Sequence, residues 1–277
     1  MKSEAIRQYY VVNGEIIPTS HTEIFEKITK PPIYEVIRII DGVPLFLEDH
    51  MERMRKSAEL VGIHIQREDE QIERDIKRLI EENKEKNLNV KLLYSSTEDS
   101  QPMLLAYFIK SFYPPEEYYK NGIHTILFNY ERENPNAKVQ KSSFREQVSK
   151  ELEKNKAFEA LLVNSNGYIT EGSRSNMFFV KGDMIYTAPK GAVLLGITRK
   201  YILEVCSELS IEVVEENIHV DEIPNLDGAF MSGTSVNVLP ISSINDIKLD
   251  SVNNSIIKKV SDGYINKMKS YIQSKTL

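Results

Sequence analysis

Glu159-Ala160-Leu161-Leu162-Val163-Asn164-Ser165-Asn166-Gly167-Tyr168-Ile169-Thr170-Glu171-Gly172-Ser173-Arg174-Ser175-Asn176 is the most informative stretch of this chain. Ala160–Val163 is a short apolar run, and Tyr168–Thr170 is a second strand. Between them, Asn164 to Gly167 are turn residues, so the segment reads as two strands joined by a tight turn. Glu171 follows at the strand end with small polar residues after it. A carboxylate so placed suits a buried cation or a pyridinium partner. Taken alone, the segment defaults to a solvated loop carboxylate.

Working outward, Asn176–Val180 and Met184–Thr187 flank Lys181-Gly182-Asp183, and a helix is expected from Ile197 to about Leu209. Strands follow at Ile211–Val214 and Ala229–Ser232, then an amphipathic helix over Ile256–Ile272. Upstream, Ile123–Phe128 reads as a strand and Ser142–Phe158 as a helix, with Phe144, Val148 and Leu152 four apart. Tyr113-Pro114-Pro115-Glu116 is the clearest breaker, which sets the expected domains at 1–115 and 116–277. In the first of these, Ile33–Ile40 and Val43–Leu47 flank Asp41-Gly42, a two-residue hairpin signal. A helix is expected from an Asp49 N-cap to about Val61. Arg67–Asn87 is rich in charge, but Ile72, Ile76, Leu79 and Ile80 recur at helical spacing, as in a solvated helix with one buried stripe. Val90–Tyr94 and Met103–Lys110 read as strands. The elements mix without strict alternation, so an α/β (α+β) chain of two domains fits better than a doubly wound parallel sheet.

Bulk properties narrow the function. The 277 residues are 41% hydrophobic and 27% charged, ordinary for a globular enzyme. A net charge of −6 argues against nucleic acid as a partner. Apolar runs fall short of the roughly 20 residues a bilayer crossing needs, and the first ten residues hold no apolar signal region. Cys206 is the single cysteine, which excludes an intramolecular disulfide and fits a cytoplasmic protein. His21, His50, His64, His124 and His219 are scattered without metal-ligand spacing, so no metal is expected. Nucleophile-elbow, Walker and dinucleotide fingerprints are missing.

Three further segments could carry chemistry. Leu195-Gly196-Ile197-Thr198-Arg199 precedes a helix, where unpaired N–H groups and the Thr198 hydroxyl could hold a phosphate; an ordinary glycine-started helix reads the same. Ser232-Gly233-Thr234-Ser235 after a strand could present hydroxyls and amides, or be a plain turn. Asn136-Ala137-Lys138-Val139-Gln140-Lys141 offers two lysines that spacing alone does not separate.

Together these segments resemble the class IV aminotransferases, the fold type IV pyridoxal 5'-phosphate (PLP) enzymes, which include branched-chain and D-amino-acid aminotransferases and aminodeoxychorismate lyase. Tyr34-Glu35-Val36-Ile37-Arg38 is similar to the family's aromatic-Glu-x-Ile-Arg/Lys strand, and His50-Met51-Glu52-Arg53-Met54 to its His-x-x-Arg-Leu helix. Gly167–Gly172 with Asn176, Gly196–Arg199 and Phe230–Thr234 match in order. The resemblance implies a small N-terminal α/β domain, a larger C-terminal pseudo-barrel domain, PLP between them, and a homodimer. It makes Lys138 the Schiff-base lysine and Glu171 the partner of the pyridine nitrogen. Arg53, Gly196, Ile197, Thr198, Gly233 and Thr234 become the phosphate cup, with Asn176 beside it. Tyr34, Val36 and Arg38 line the substrate pocket, joined by Lys91 and Ser235.

The implied chemistry suits these residue types. Lysine must be neutral or held as the imine to act, which desolvation and cationic neighbours favour. A carboxylate at the ring nitrogen lets the ring accept electrons from Cα, and the phosphate anchor fixes the ring angle. Three departures lie on the substrate side. Ile28-Thr29-Lys30-Pro31-Pro32-Ile33 stands where the family has a Gly-rich segment. Lys91 is the nearest counterpart of its carboxylate-binding arginine. Asn237-Val238-Leu239-Pro240 replaces Glu-Ile-Thr-Pro. Transamination between an amino acid, with branched-chain and D-amino acids as candidates, and a 2-oxo acid is the expected activity. A lyase of the aminodeoxychorismate type is the alternative, although such lyases tend to carry a hydroxyl residue where Val36 stands. A non-catalytic binder of PLP, of a phosphometabolite or of a protein partner is the alternative of another class.

Overall fold

Asp41 and Gly42 both have positive φ, 52° and 85°, and they close the hairpin that the Asp-Gly pair predicts. The computed structural model describes residues 2–28, 31–96, 101–131, 136–139 and 142–276. Thr29 and Lys30 of the departing N-terminal motif, and Gln140 and Lys141 after the candidate lysine, therefore lie outside the described residues. The chain divides into two units. One comprises Met1–Phe112, Ala137–Lys141 and Ser270–Leu277; the other comprises Tyr113–Asn136 and Ser142–Lys269.

The first unit holds β1 (Ala5–Val12), β2 (Glu15–Pro18), the short α1 (Glu23–Glu26), β3 (Ile33–Ile40), β4 (Val43–Pro44), α2 (Leu47–Leu60), α3 (Asp69–Asn83), β5 (Asn89–Ser96) and β6 (Pro102–Ile109). Its six strands form an antiparallel sheet in the order β2-β1-β6-β5-β3-β4. Along β3 burial alternates: Ile33, Glu35, Ile37 and Ile39 are buried, while Tyr34, Val36 and Arg38 are half-buried on the opposite face. The buried apolar row packs with Met51, Met54 and Ala58 of α2 and with Ile72, Ile76, Leu79 and Ile80 of α3. That is the stripe expected of the charged helix, whose start is closed by Gln71 Oε1 accepting from the Glu68 N–H at 3.0 Å.

Helix α2 begins three residues earlier than an Asp49 N-cap would set it. Asp49 lies inside the first turn, and the N-cap is Phe46 in a left-handed conformation, φ 53°. The cap comes from far along the chain. Tyr271 Oη accepts the Leu47 N–H at 3.1 Å and donates to Glu48 at 2.7 Å, and its ring meets that of Phe46 edge-on. A local capping rule has no access to such a partner.

The second unit contains α4 (Glu116–Asn121), β7 (Ile123–Asn129), α5 (Ser142–Asn155), β8 (Glu159–Val163), β9 (Tyr168–Gly172), β10 (Asn176–Lys181), β11 (Met184–Thr187), α6 (Ile197–Glu208), β12 (Val213–Glu215), β13 (Ile218–His219), β14 (Gly228–Gly233), β15 (Asn237–Ile244), β16 (Ile247–Lys248) and α7 (Ser255–Thr276). The sheet runs β12-β11-β10-β14-β15-β7-β8-β9-β13, with β16 paired to β15. Three of its pairings are parallel, β11–β12, β15–β7 and β7–β8. The sheet is thus mixed, as the irregular order of elements suggests. In α5, Phe144 and Val148 are buried and pack with Ile126, Ala160 and Leu162 of β7 and β8. Helices α6 and α7 approach closely at Gly263, where a Cβ would lie 2.4 Å from Val205.

Tyr271→Phe removes the hydroxyl that caps α2 while keeping the ring. It is expected to lower unfolding free energy by about 1 kcal/mol, the usual worth of a helix cap. Urea denaturation measures this, and an unchanged midpoint would show the cap to be idle.

Candidate active site

In the first unit, the sequence-singled lysine is fixed through its backbone. Lys138 O accepts the Tyr34 N–H at 3.2 Å. Its own N–H reaches Oγ of the buried Ser57, on α2, at 3.3 Å. Val139 bridges Ile33 in antiparallel sense. The half-buried side chain places Nζ 4.8 Å from the Tyr34 ring centroid, a favourable site for a cation. Tyr34, Val36, Arg38 and Lys91 share one face of the sheet, since Val36 and Lys91 stand directly opposite in the β3–β5 register. Lys91 is only 2% exposed, lies 5.1 Å from the same Tyr34 centroid, and is ion-paired to Glu4.

The other face of β3 carries a polar cluster centred on Glu35, a residue to which the sequence motifs gave no role. Glu35 is completely buried. Arg53 grips it with two hydrogen bonds, Nε to Oε1 at 2.7 Å and Nη2 to Oε2 at 2.5 Å, and His50 Nδ1 lies 2.8 Å from Oε2. Burial opposes ionisation of Glu35, but the Arg53 guanidinium and the His50 contact outweigh it and hold the carboxyl well below the usual range. Burial also lowers the pKa of His50. The Glu35 carboxylate pulls the other way, and the charges of Arg53 and Lys138 side with burial. A neutral His50 donates from Nδ1 to Glu35, and the side chain of Arg53 is held in place.

The second unit holds the Glu159–Asn176 stretch. Glu171 is buried, contrary to the default for a loop carboxylate, and its Oε2 accepts the Leu194 N–H at 3.2 Å. Asn176 donates to the Leu194 carbonyl at 2.8 Å. Gly196 is the N-cap of α6, and a Cβ there would lie 2.1 Å from Asn176 Oδ1, so only glycine fits. Ile197 and Thr198, both buried, occupy the first turn, where amides lack intrahelical partners. Ser232 faces Asn176 across β10 and β14, and its buried Oγ has no hydrogen-bond partner among the described residues. Gly233 is followed by half-buried Thr234 and Ser235.

Glu159 was missed as an organising group. Its carboxylate accepts Ser173 Oγ at 2.5 Å, Ser175 Oγ at 3.0 Å and the Ser173 N–H at 3.1 Å, fixing the turn between Glu171 and Asn176. No spacing rule flags it, because its partners sit in a turn beyond the next strand. Among the described residues no His, Cys, Asp and Glu group could hold a metal ion.

An aldehyde, a pyridine nitrogen and a phosphate need an amine, a carboxylate and a set of N–H and O–H donors. Groups of each kind are present, an amine at Lys138 in the first unit, and a buried carboxylate at Glu171 with the glycine-started α6 in the second, so the residue chemistry fits PLP. The architecture agrees. The solved branched-chain amino acid aminotransferase of Escherichia coli superposes with a TM-score of 0.84 over 95% of each chain at 21% identity. The Thermobaculum terrenum enzyme in its PLP form gives 0.81 over 97% of this chain and 96% of its own at 22%. Both define the fold type IV architecture. A profile of the amino-transferase class IV family matches residues 32–244. A probable branched-chain-amino-acid aminotransferase of Rickettsia bellii is 30% identical over 85% of this chain and 87% of its own. The D-alanine aminotransferase of Bacillus licheniformis is 29% identical over 76% and 78%. The chain belongs to the class IV aminotransferase family, and is a PLP-dependent enzyme that exchanges an amino group between an amino acid and a 2-oxo acid. The non-catalytic alternative falls with that assignment.

The buried cluster sets a pH dependence. His50 has a lowered pKa in the folded chain, so below its ordinary value of 6.5 the unfolded chain takes up a proton that the folded one refuses, and stability falls. Glu35, also lowered, adds in the same direction below its ordinary 4.5. Between these two values the wild type should lose up to about 1.4 kcal/mol per pH unit more than His50→Asn, which keeps a donor toward Glu35. Parallel stability–pH curves for the two proteins would contradict this.

Proposed function

We propose that Lys138 is the attachment point of PLP and the base at the substrate Cα, in a transaminase whose amino acid has an uncharged side chain. The observation that carries this is the locked Lys138 backbone, which holds Nζ beside the Tyr34 ring. When bound, PLP supplies an electron sink for the Cα carbanion. Glu171, kept from water, would hold a proton on the ring nitrogen. Arg53, Gly196, Ile197, Thr198, Gly233 and Thr234 would hold the phosphate, with Asn176 keeping the Gly196 turn in shape. Lys138, freed by the substrate, would move the proton at Cα.

Tyr34, Val36, Arg38 and Lys91, with Ser235, form the substrate side in this reading. Arg38 is assigned the α-carboxylate, because a guanidinium fork matches two carboxylate oxygens. The relatives are named for branched-chain amino acids and for D-alanine, and Val36 suits small or aliphatic side chains of either kind. The two units would correspond to the two domains set by the Pro114-Pro115 breaker. A homodimer working in the cytoplasm completes the proposal.

PLP-loaded protein should turn over L-leucine, L-valine or D-alanine with a 2-oxo acid acceptor, and Lys138→Ala should lose about ten-thousand-fold in rate, the size of a removed proton-transfer group. Retained turnover in Lys138→Ala would refute the assignment. Pyruvate released beyond one equivalent per bound PLP with no acceptor present would point to the lyase chemistry instead.

A further inference from the structure

Lys91 sits mid-strand in β5, opposite Val36 on β3 and Tyr107 on β6. Its side chain is almost wholly removed from water, and lysines are seldom buried without a partner. The partner is Glu4, one residue before β1, with a side chain 41% exposed. One end of the pair is therefore sealed in the sheet and the other is open to solvent. The Tyr34 ring joins this pair to the reaction centre. Lys91 Nζ lies 5.1 Å from the Tyr34 centroid and Lys138 Nζ 4.8 Å, so the two ammonium groups are no more than about 10 Å apart.

We infer that Glu4 is a specificity-determining residue: by matching the charge of Lys91, it keeps that cation from reading a second carboxylate on the substrate. This rests on the Tyr34 face being the substrate side. A buried ammonium left alone so close to the reacting amine would attract any side-chain carboxylate, because the ligand would complete a charge-assisted contact in a poorly hydrated place. With Glu4 in position the pair is neutral. An apolar or small side chain meets no charge to desolvate, whereas a dicarboxylic acid must displace Glu4 or lie against it. Selection here works by opposing the wrong substrate as much as by fitting the right one. The α-carboxylate, common to all amino acids, is left to Arg38.

The test compares holoenzymes with pyruvate and 2-oxoglutarate as alternative acceptors. In Glu4→Gln the ratio of the KM for 2-oxoglutarate to that for pyruvate should fall about tenfold, the scale of one released charge contact. Succinate, which cannot react, should raise the Tm of Glu4→Gln and leave that of the wild type unmoved. Lys91→Met, which leaves the carboxylate without its cation, should drive the ratio upward, and it keeps the idea testable if Glu4→Gln folds poorly. A ratio within about twofold of wild type in the folded variants, or equal protection of wild type and Glu4→Gln by succinate, overturns the role of Glu4. Val36→Phe separates the two levels. If it raises both KM values while the Glu4 and Lys91 variants leave the ratio alone, only the selectivity role fails. If it leaves both KM values unchanged, the substrate side has been misplaced and both readings fail together.

Discussion

A single main-chain hydrogen bond, Tyr34 N–H to the carbonyl of Lys138, fixes the backbone on which the proposed chemistry depends. It joins a segment far along the chain to the start of β3, on the strand edge that β5 does not cover. The Ile33–Val139 bridge and the Ser57 hydroxyl reinforce it. A lysine in an open loop would spread its amine over many positions, and fixing it later would cost conformational entropy at each turnover. Here the ordering is done by folding, and the tyrosine that receives the amine is the one whose N–H fixes the backbone.

The two faces of β3 divide the labour. Tyr34, Val36 and Arg38 look one way, while Glu35 looks the other and binds sheet to helix through Arg53 and His50. A buried ion pair of this kind contributes little net stability relative to an apolar contact of the same volume. Its effect is geometric: α2 cannot slide along the sheet without stranding a charge. The same logic recurs in the second unit, where Glu159 ties down the turn between Glu171 and Asn176.

Much of this was readable from the chain because the signals were local. The Asp41-Gly42 turn, the four-residue stripe of α3, the Ile33–Ile40 strand and the glycine start of α6 each follow from neighbouring residues, and each appears in the structure. The family motifs added the order of the segments. What stayed hidden depends on partners distant in sequence. The start of α2 is set by Tyr271, the burial of Glu171 by the strands around it, and the charge state of the Lys91 face by Glu4. Spacing could not separate Lys138 from Lys141 either. The motif alignment favoured Lys138, whose backbone is bonded to β3 and α2, while Lys141 lies outside the described residues.

The most direct measurement is therefore to reduce the PLP-loaded protein with borohydride, digest it, and identify the peptide that carries the pyridoxyl group by mass spectrometry. The account requires the label on Lys138. A label on Lys141, or spread over several surface lysines, would contradict it.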